Sequence, residues 1–186
     1  MEERELHITI KQCKEGNTEA FRSLVMAYHN MVFSLSLKLL CSESEAEDAV
    51  QDAFVSVWEN IHRYSSEKGK FTTWLYTIAT RICLDRLRHH KRTIPLPTDE
   101  TTLQNHLTGT NLDKNLENSD FVSIVKVLTL GLSLQQQLVF TLSILENLDS
   151  NEITAITGLS AEKIKSNLYV ARKKIKEELI LLGYEN

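Results

Sequence analysis

Turn-forming residues are scarce in this chain, with six glycines and two prolines in 186 residues. That is too few for a domain of many short strands, and it points to helices. Cysteine is also rare: Cys13, Cys41 and Cys83 stand far apart, are odd in number and form no CxxC pair. Neither a disulfide framework nor a zinc knuckle is encoded, and the three thiols read as small, reduced core residues. No apolar run reaches the roughly 18 residues that a membrane span needs. The start, MEERELHITIKQ, lacks the basic-then-apolar layout of a secretory signal. The expectation is a cytoplasmic protein with no membrane insertion. No Gly-rich phosphate loop, nucleophile elbow or HExxH motif is present. The acids between 43 and 52 alternate with apolar residues and have no converging histidine, and His89–His90 fall in a basic tail. No catalytic residue, cofactor or metal site is expected.

A basic net charge is missing as well. The formal charge is −4, yet its distribution matters more for steering than its sum. Residues 1–92 and 121–186 are each balanced, and the whole excess sits in residues 93–120. Residues 39–62 hold no Lys or Arg but carry Glu43, Glu45, Glu47, Asp48, Asp52 and Glu59. Residues 163–176 hold six Lys or Arg and no acid.

What is abundant is apolar residues at helical spacing. Phe21, Leu24, Tyr28, Val32, Leu35 and Leu39 mark one long helix over Thr18–Leu40, after a shorter one ending near Gly16. Ser42 with Glu45, and Ser44 with Glu47, have capping-box spacing before a stripe from Ala46 to Ile61. RYSSEKGK, residues 63–70, reads as a loop before a fourth helix. Residues 93–120 lose the periodicity, contain both prolines and read as a flexible linker. From Phe121 helices resume. Ser133 with Gln136 caps one running through Leu145, and Asp149 with Glu152 caps a short one ending near Thr157. Gly158 breaks the chain and Ser160 opens a last helix, so the end reads as a helix-turn-helix.

Two segments carry a nucleic-acid signal. In FTTWLYTIATRICLDRLRHHKR, Trp74, Arg81 and Arg88 recur seven residues apart beside a core stripe, and Arg86, Lys91 and Arg92 extend the positive end. Flat rings beside guanidinium groups suit unpaired bases and phosphates. On the last helix, Glu162, Lys163, Ser166 and Asn167 occupy the N-terminal positions that face base edges in such motifs. Lys165, Arg172 and Lys173 flank them and suit phosphates.

Taken together, AEDAVQDAFVSVWENI, KFTTWLYTIATRICLDRLR and the segment from Leu132 to Leu179 resemble the extracytoplasmic-function (group IV) sigma factors of the sigma-70 family, in that order. The resemblance implies an all-α fold: two small helical domains joined by a flexible linker, with 1–92 binding polymerase and the −10 element and 121–186 binding the −35 element. It implies a non-enzymatic function, directing core bacterial RNA polymerase to promoters and helping to open the duplex. Asp48, Gln51, Asp52 and Glu59 would meet the clamp helices of the largest polymerase subunit, and the C-terminal domain would meet the flap region. Tyr64, Trp74, Arg81, Arg86, Arg88, Lys91 and Arg92 would serve the −10 DNA and melting, so that the chain handles both double-stranded and melted promoter DNA. An anti-sigma factor is the further implied partner. Arg81 stands where the family often has Asn, and Asn167 and Val170 stand where Arg is frequent, so no base preference carries over.

Two other readings stay open on the residues alone. A stand-alone helix-turn-helix regulator explains the C-terminal half and leaves the acidic and aromatic-basic helices without a purpose. A metal-dependent nuclease would have to use the acids at 43–52.

Overall fold

The computed structural model describes residues 1–93 and 116–181. Among these residues the chain is helical, without strands. Four helices form the N-terminal half: α1 (Glu3–Lys14), α2 (Thr18–Leu40), α3 (Glu43–Asn60) and α4 (Phe71–Thr93). The start of α2 is fixed by Asn17, whose side-chain oxygen accepts from the N–H groups of Glu19 and Ala20. Ser42 caps α3 in the same way by accepting from Glu45 N–H. Between α3 and α4 the expected loop is tighter than its composition suggests. It holds two short 3₁₀ turns, Ile61–Arg63 and Ser66–Lys68, and then Gly69 at φ 146°, which suits glycine alone.

The apolar stripes of these helices meet in one core. Leu24, Leu35, Leu39, Val57, Leu75 and Cys83 are sealed from solvent. Each aliphatic side chain of this set contributes about 1.5–3 kcal/mol by leaving water. Burial pushes the Cys83 thiol up to about 11, with the Ser36 hydroxyl opposing the shift, so the group stays neutral in the core.

The C-terminal half holds α5 (Leu116–Thr129), α6 (Leu134–Phe140), α7 (Ser150–Thr157) and α8 (Ala161–Leu181). Helix α5 begins at Leu116, within the segment read as linker; the remainder of that segment, 94–115, lies outside the described residues. Both capping boxes form, Ser133 with Gln136 on α6 and Asp149 with Glu152 on α7. The helix expected to run through Leu145 is regular only to Phe140. It then widens into a π turn over Thr141–Leu145, closed by Glu146 N–H donating to Thr141 O at 2.9 Å. Gly158 takes the left-handed conformation at φ 72° and turns the chain into α8.

The halves are not separate bodies. Leu138, Val139, Leu142, Ile153, Ile156 and Ile164 belong to the same contiguous core as the N-terminal helices. A smaller cluster of Leu132, Ala171 and Ile175 is the C-terminal half's own.

Candidate nucleic-acid interface

Helix α4 is anchored by its aromatic end. Phe71 is 2% exposed, and its ring lies 5.2 Å from Tyr28, 5.4 Å from Tyr64 and 5.8 Å from Trp74. This corrects the expectation for Tyr64. The residue is 9% exposed and its hydroxyl donates to Gly69 O at 3.2 Å, so it braces the 61–70 segment from inside and is not offered for stacking. The polar neighbours of Tyr64 suggested a surface loop, but an aromatic ring gains more from the core than from water. Trp74 is half-buried against Tyr64 at 5.5 Å, and it combines core packing with a partly open face.

Two of the cations further along α4, Arg86 and Arg88, are engaged by acids. Arg86 reaches across to α3, pairing with Asp52 and lying 3.9 Å from Asp48. It is therefore not a free phosphate ligand in this arrangement, because the acids expected to meet polymerase hold it. Arg88 pairs with Asp85 on its own helix at 2.7 Å. Arg81 is exposed beside a cavity that Thr80, Leu84, Ala155, Thr157 and Gly158 also line. Lys91 and Arg92 continue α4, and their side chains lie outside the described residues.

On α3, Asp48, Gln51, Asp52 and Glu59 are all exposed along one face, as their spacing predicts. Next to them an apolar cleft of about 890 Å³ runs between α2 and α3, walled by Phe21, Val25, Phe33, Phe54 and Trp58 and rimmed by the acids Glu47 and Glu59 with Gln51 between them. Apolar wall plus acidic rim is a surface for a helix that is apolar on one side and basic at its edges.

Helix α8 presents its cations outward. Ser160 accepts from Lys163 N–H at 3.4 Å and fixes the first turn. Glu162 has its carboxyl held below the usual range by its own backbone N–H and then by Ser160. Lys163, Lys165, Ser166, Arg172 and Lys173 are exposed, and Ile164, Ala171 and Ile175 face inward. Asn167 is half-buried and its amide donates to Lys163 O at 2.8 Å, which leaves its side-chain oxygen for other contacts. Sequence reasoning missed Tyr169. It is 71% exposed and, by helical spacing, shares a face with Lys165, Arg172 and Lys173. Its signal was available: an aromatic residue outside the apolar stripe has no core to fill.

Among the described residues no three His, Cys, Asp or Glu side chains cluster to hold a metal ion. No described helix is long and apolar enough to cross a membrane.

Residues 24–93 match the family model described as Sigma-70 region 2. The ECF RNA polymerase sigma factor SigW of Bacillus subtilis (strain 168) is 27% identical over 177 residues, which cover 91% of this chain and 94% of that protein. Two solved structures share the fold. CnrH, in complex with the cytosolic domain of CnrY, superposes with a TM-score of 0.67 at 20% identity, over 96% of this chain and 97% of that one. The sigma factor RpoE of Bartonella quintana, in complex with the anti-sigma factor NepR, gives 0.64 at 21% identity, over 86% and 96%.

Proposed function

Because this chain belongs to the extracytoplasmic-function group of the sigma-70 family, we propose that it binds core RNA polymerase, carries it to promoters with two spaced elements and assists strand opening. One observation carries the assignment of surfaces. The N-terminal half sets an exposed acidic face on α3 beside an aromatic-basic helix, α4, so that it offers opposite charge to two partners at once. Asp48, Gln51, Asp52 and Glu59 take the polymerase. Trp74, Arg81 and Arg88 take the −10 strand, together with Lys91 and Arg92 by sequence position. On α8, Glu162, Lys163, Ser166 and Asn167 face the bases of the −35 element, and Lys165, Arg172, Lys173 and Tyr169 hold its phosphates.

Arg86 has a conditional part. Basic polymerase residues that take Asp48 and Asp52 leave Arg86 without its partners and available to a phosphate. Exposed pairs of this kind are worth only about 0–1 kcal/mol, so the exchange is cheap. No step requires catalysis by this chain; bond formation belongs to the polymerase. A dedicated anti-sigma factor is a further partner, by analogy with the RpoE–NepR complex. The place of action is the cytoplasm, where polymerase and promoter are found.

The test is reconstitution of the purified chain with bacterial core polymerase on a genomic promoter library, with transcript 5′ ends sequenced. New starts that depend on the chain and share two spaced upstream elements are expected. Absence of both polymerase association and new starts, from folded protein, would replace this reading with a stand-alone DNA-binding regulator.

A further inference from the structure

The two halves are joined by a buried polar contact that none of the surfaces above uses. Glu146 follows the π turn of the C-terminal half, and its side chain is 8% exposed. Lys38 on α2 donates to Glu146 Oε1 at 2.6 Å and to Leu145 O at 3.0 Å. Tyr76 on α4 donates to the other oxygen, Oε2, at 2.7 Å. Burial, and then this bond, push the Tyr76 phenol well up, so it remains a donor. Two helices of one half thus clasp a single carboxylate of the other. Beside it Gln137 on α6 donates its amide to Leu39 O at 2.9 Å, and at the rim Lys70 lies 3.5 Å from Glu152.

A buried ion pair adds little net stability over apolar packing, because both ions lose their water. Its effect is conditional. With one partner removed the other charge is stranded in the interface, and separation of the halves, which rehydrates it, becomes the favourable response.

The docked form also has a geometric cost for function. Helix α7 lies against α4 next to Arg81 and Arg88, which places the helix-turn-helix beside the −10 helix. Duplex elements only one helical turn apart are already about 34 Å apart. A helix-turn-helix whose α7 packs on α4 cannot set α8 on one element while α4 occupies another that far away. The acidic face of α3 and the outer face of α8 stay open in the same arrangement.

We propose that the Lys38–Glu146–Tyr76 contact is a latch that holds the free chain docked, competent for polymerase but closed to two-element promoter binding, and that its release is a step in holoenzyme loading. The latch rests on the contacts alone; its consequence for promoters rests on the function proposed above.

The experiment places donor and acceptor dyes on non-natural residues at Glu15 and Glu177, both exposed, in the full chain. Single-molecule distances are expected to show mostly docked wild-type molecules. Glu146→Gln and Lys38→Met should each raise the ratio of separated to docked molecules at least tenfold. Lys38→Met combined with Glu146→Leu should restore much of the docking, because no charge is left stranded. Tyr76→Phe, which loses one hydroxyl, should give a shift of a few-fold and serves if Glu146→Gln fails to fold. With core polymerase, Glu146→Gln should speed open-complex formation on a two-element promoter relative to wild type. A separated wild type, or unchanged distances in variants that keep their helical circular dichroism, would overturn the latch. A latch that behaves as described in a chain yielding no polymerase-dependent starts would leave the latch standing and remove the sigma-factor reading.

Discussion

Helices α4 and α8 carry the two groups of cations in this chain, and they hold them differently. On α4, Arg86 answers to Asp52 and Asp48, and Arg88 answers to Asp85. On α8, Lys163, Lys165 and Arg172 stand in solvent, and Lys173 has only a loose partner, Glu177, at 3.9 Å. The contrast follows from packing. Helix α4 crosses α2 and α3 and carries α7 on another side, so the acids of α3 reach Arg86, while Asp85, which holds Arg88, belongs to α4 itself. Helix α8 is covered along one stripe and free along the other. A helix embedded in this way can present charge only where its neighbours allow it. A helix packed on one side can change its outer residues at little cost to the fold.

The largest test of this difference is Phe71→Ala. Phe71 is sealed and touches three aromatic rings, so its removal should cost about 3–5 kcal/mol through lost burial and the cavity left behind. Urea denaturation followed by circular dichroism checks this. In contrast, Tyr169→Ala on the outer face of α8 should move stability by no more than about 0.5 kcal/mol. Equal losses at the two sites would erase the distinction between the helices.

Gly158→Ala probes the entry to α8. A Cβ there meets nothing within 4 Å, so the effect comes from the backbone at φ 72° alone, about 1–2 kcal/mol. Thermal unfolding of the variant should show that loss, and N-terminal contacts such as Phe71–Tyr28 should keep their signals in NMR spectra. A neutral result would mean that the turn can relax out of the left-handed region.

How far these features could be read in the sequence depends on the distance over which they are encoded. Helix α2 was found at its observed bounds because its apolar spacing is local. The capping boxes at Ser133 and Asp149 were found because three residues separate each pair. Arg86 and Asp52 are 34 residues apart, and only the crossing of α4 over α3 brings them together. Lys38 and Glu146 are separated by 108 residues and meet only because the halves dock. Tyr64 misled for a different reason: its polar neighbours set the expectation, and the ring turned inward to Phe71 and Trp74 against them. The run of acids on α3 is legible in the sequence, and their hold on Arg86 is not.

Asp52→Arg examines that hold. Asp52 is exposed, so the fold should lose no more than about 1 kcal/mol from the missing surface pair. Polymerase binding should weaken about tenfold or more, roughly 1.4 kcal/mol, if this acid meets a basic partner there. Fluorescence anisotropy of the labelled chain titrated with core polymerase measures the loss. Unfolding of the N-terminal half would instead make Asp52 a structural residue and remove it from the polymerase surface.

The smallest expected effect separates positioning from reading on α8. Lys173 is exposed and its pairing with Glu177 is loose, so Lys173→Ala should leave stability within about 0.5 kcal/mol. A cation on a phosphate releases a counterion when it binds, so its loss should weaken promoter binding evenly across sequences and reduce the salt slope by about one unit. Lys163 sits one turn from the Ser160 cap, where side chains reach base edges. Lys163→Ala should therefore change which −35 sequences are preferred. Binding of holoenzyme to a randomised −35 library at several salt concentrations reads both properties at once. If Lys173→Ala altered the preferred sequence and Lys163→Ala altered only the salt slope, the two faces assigned to α8 would have to be exchanged, and the helix would enter the groove rotated about its axis from the orientation argued here.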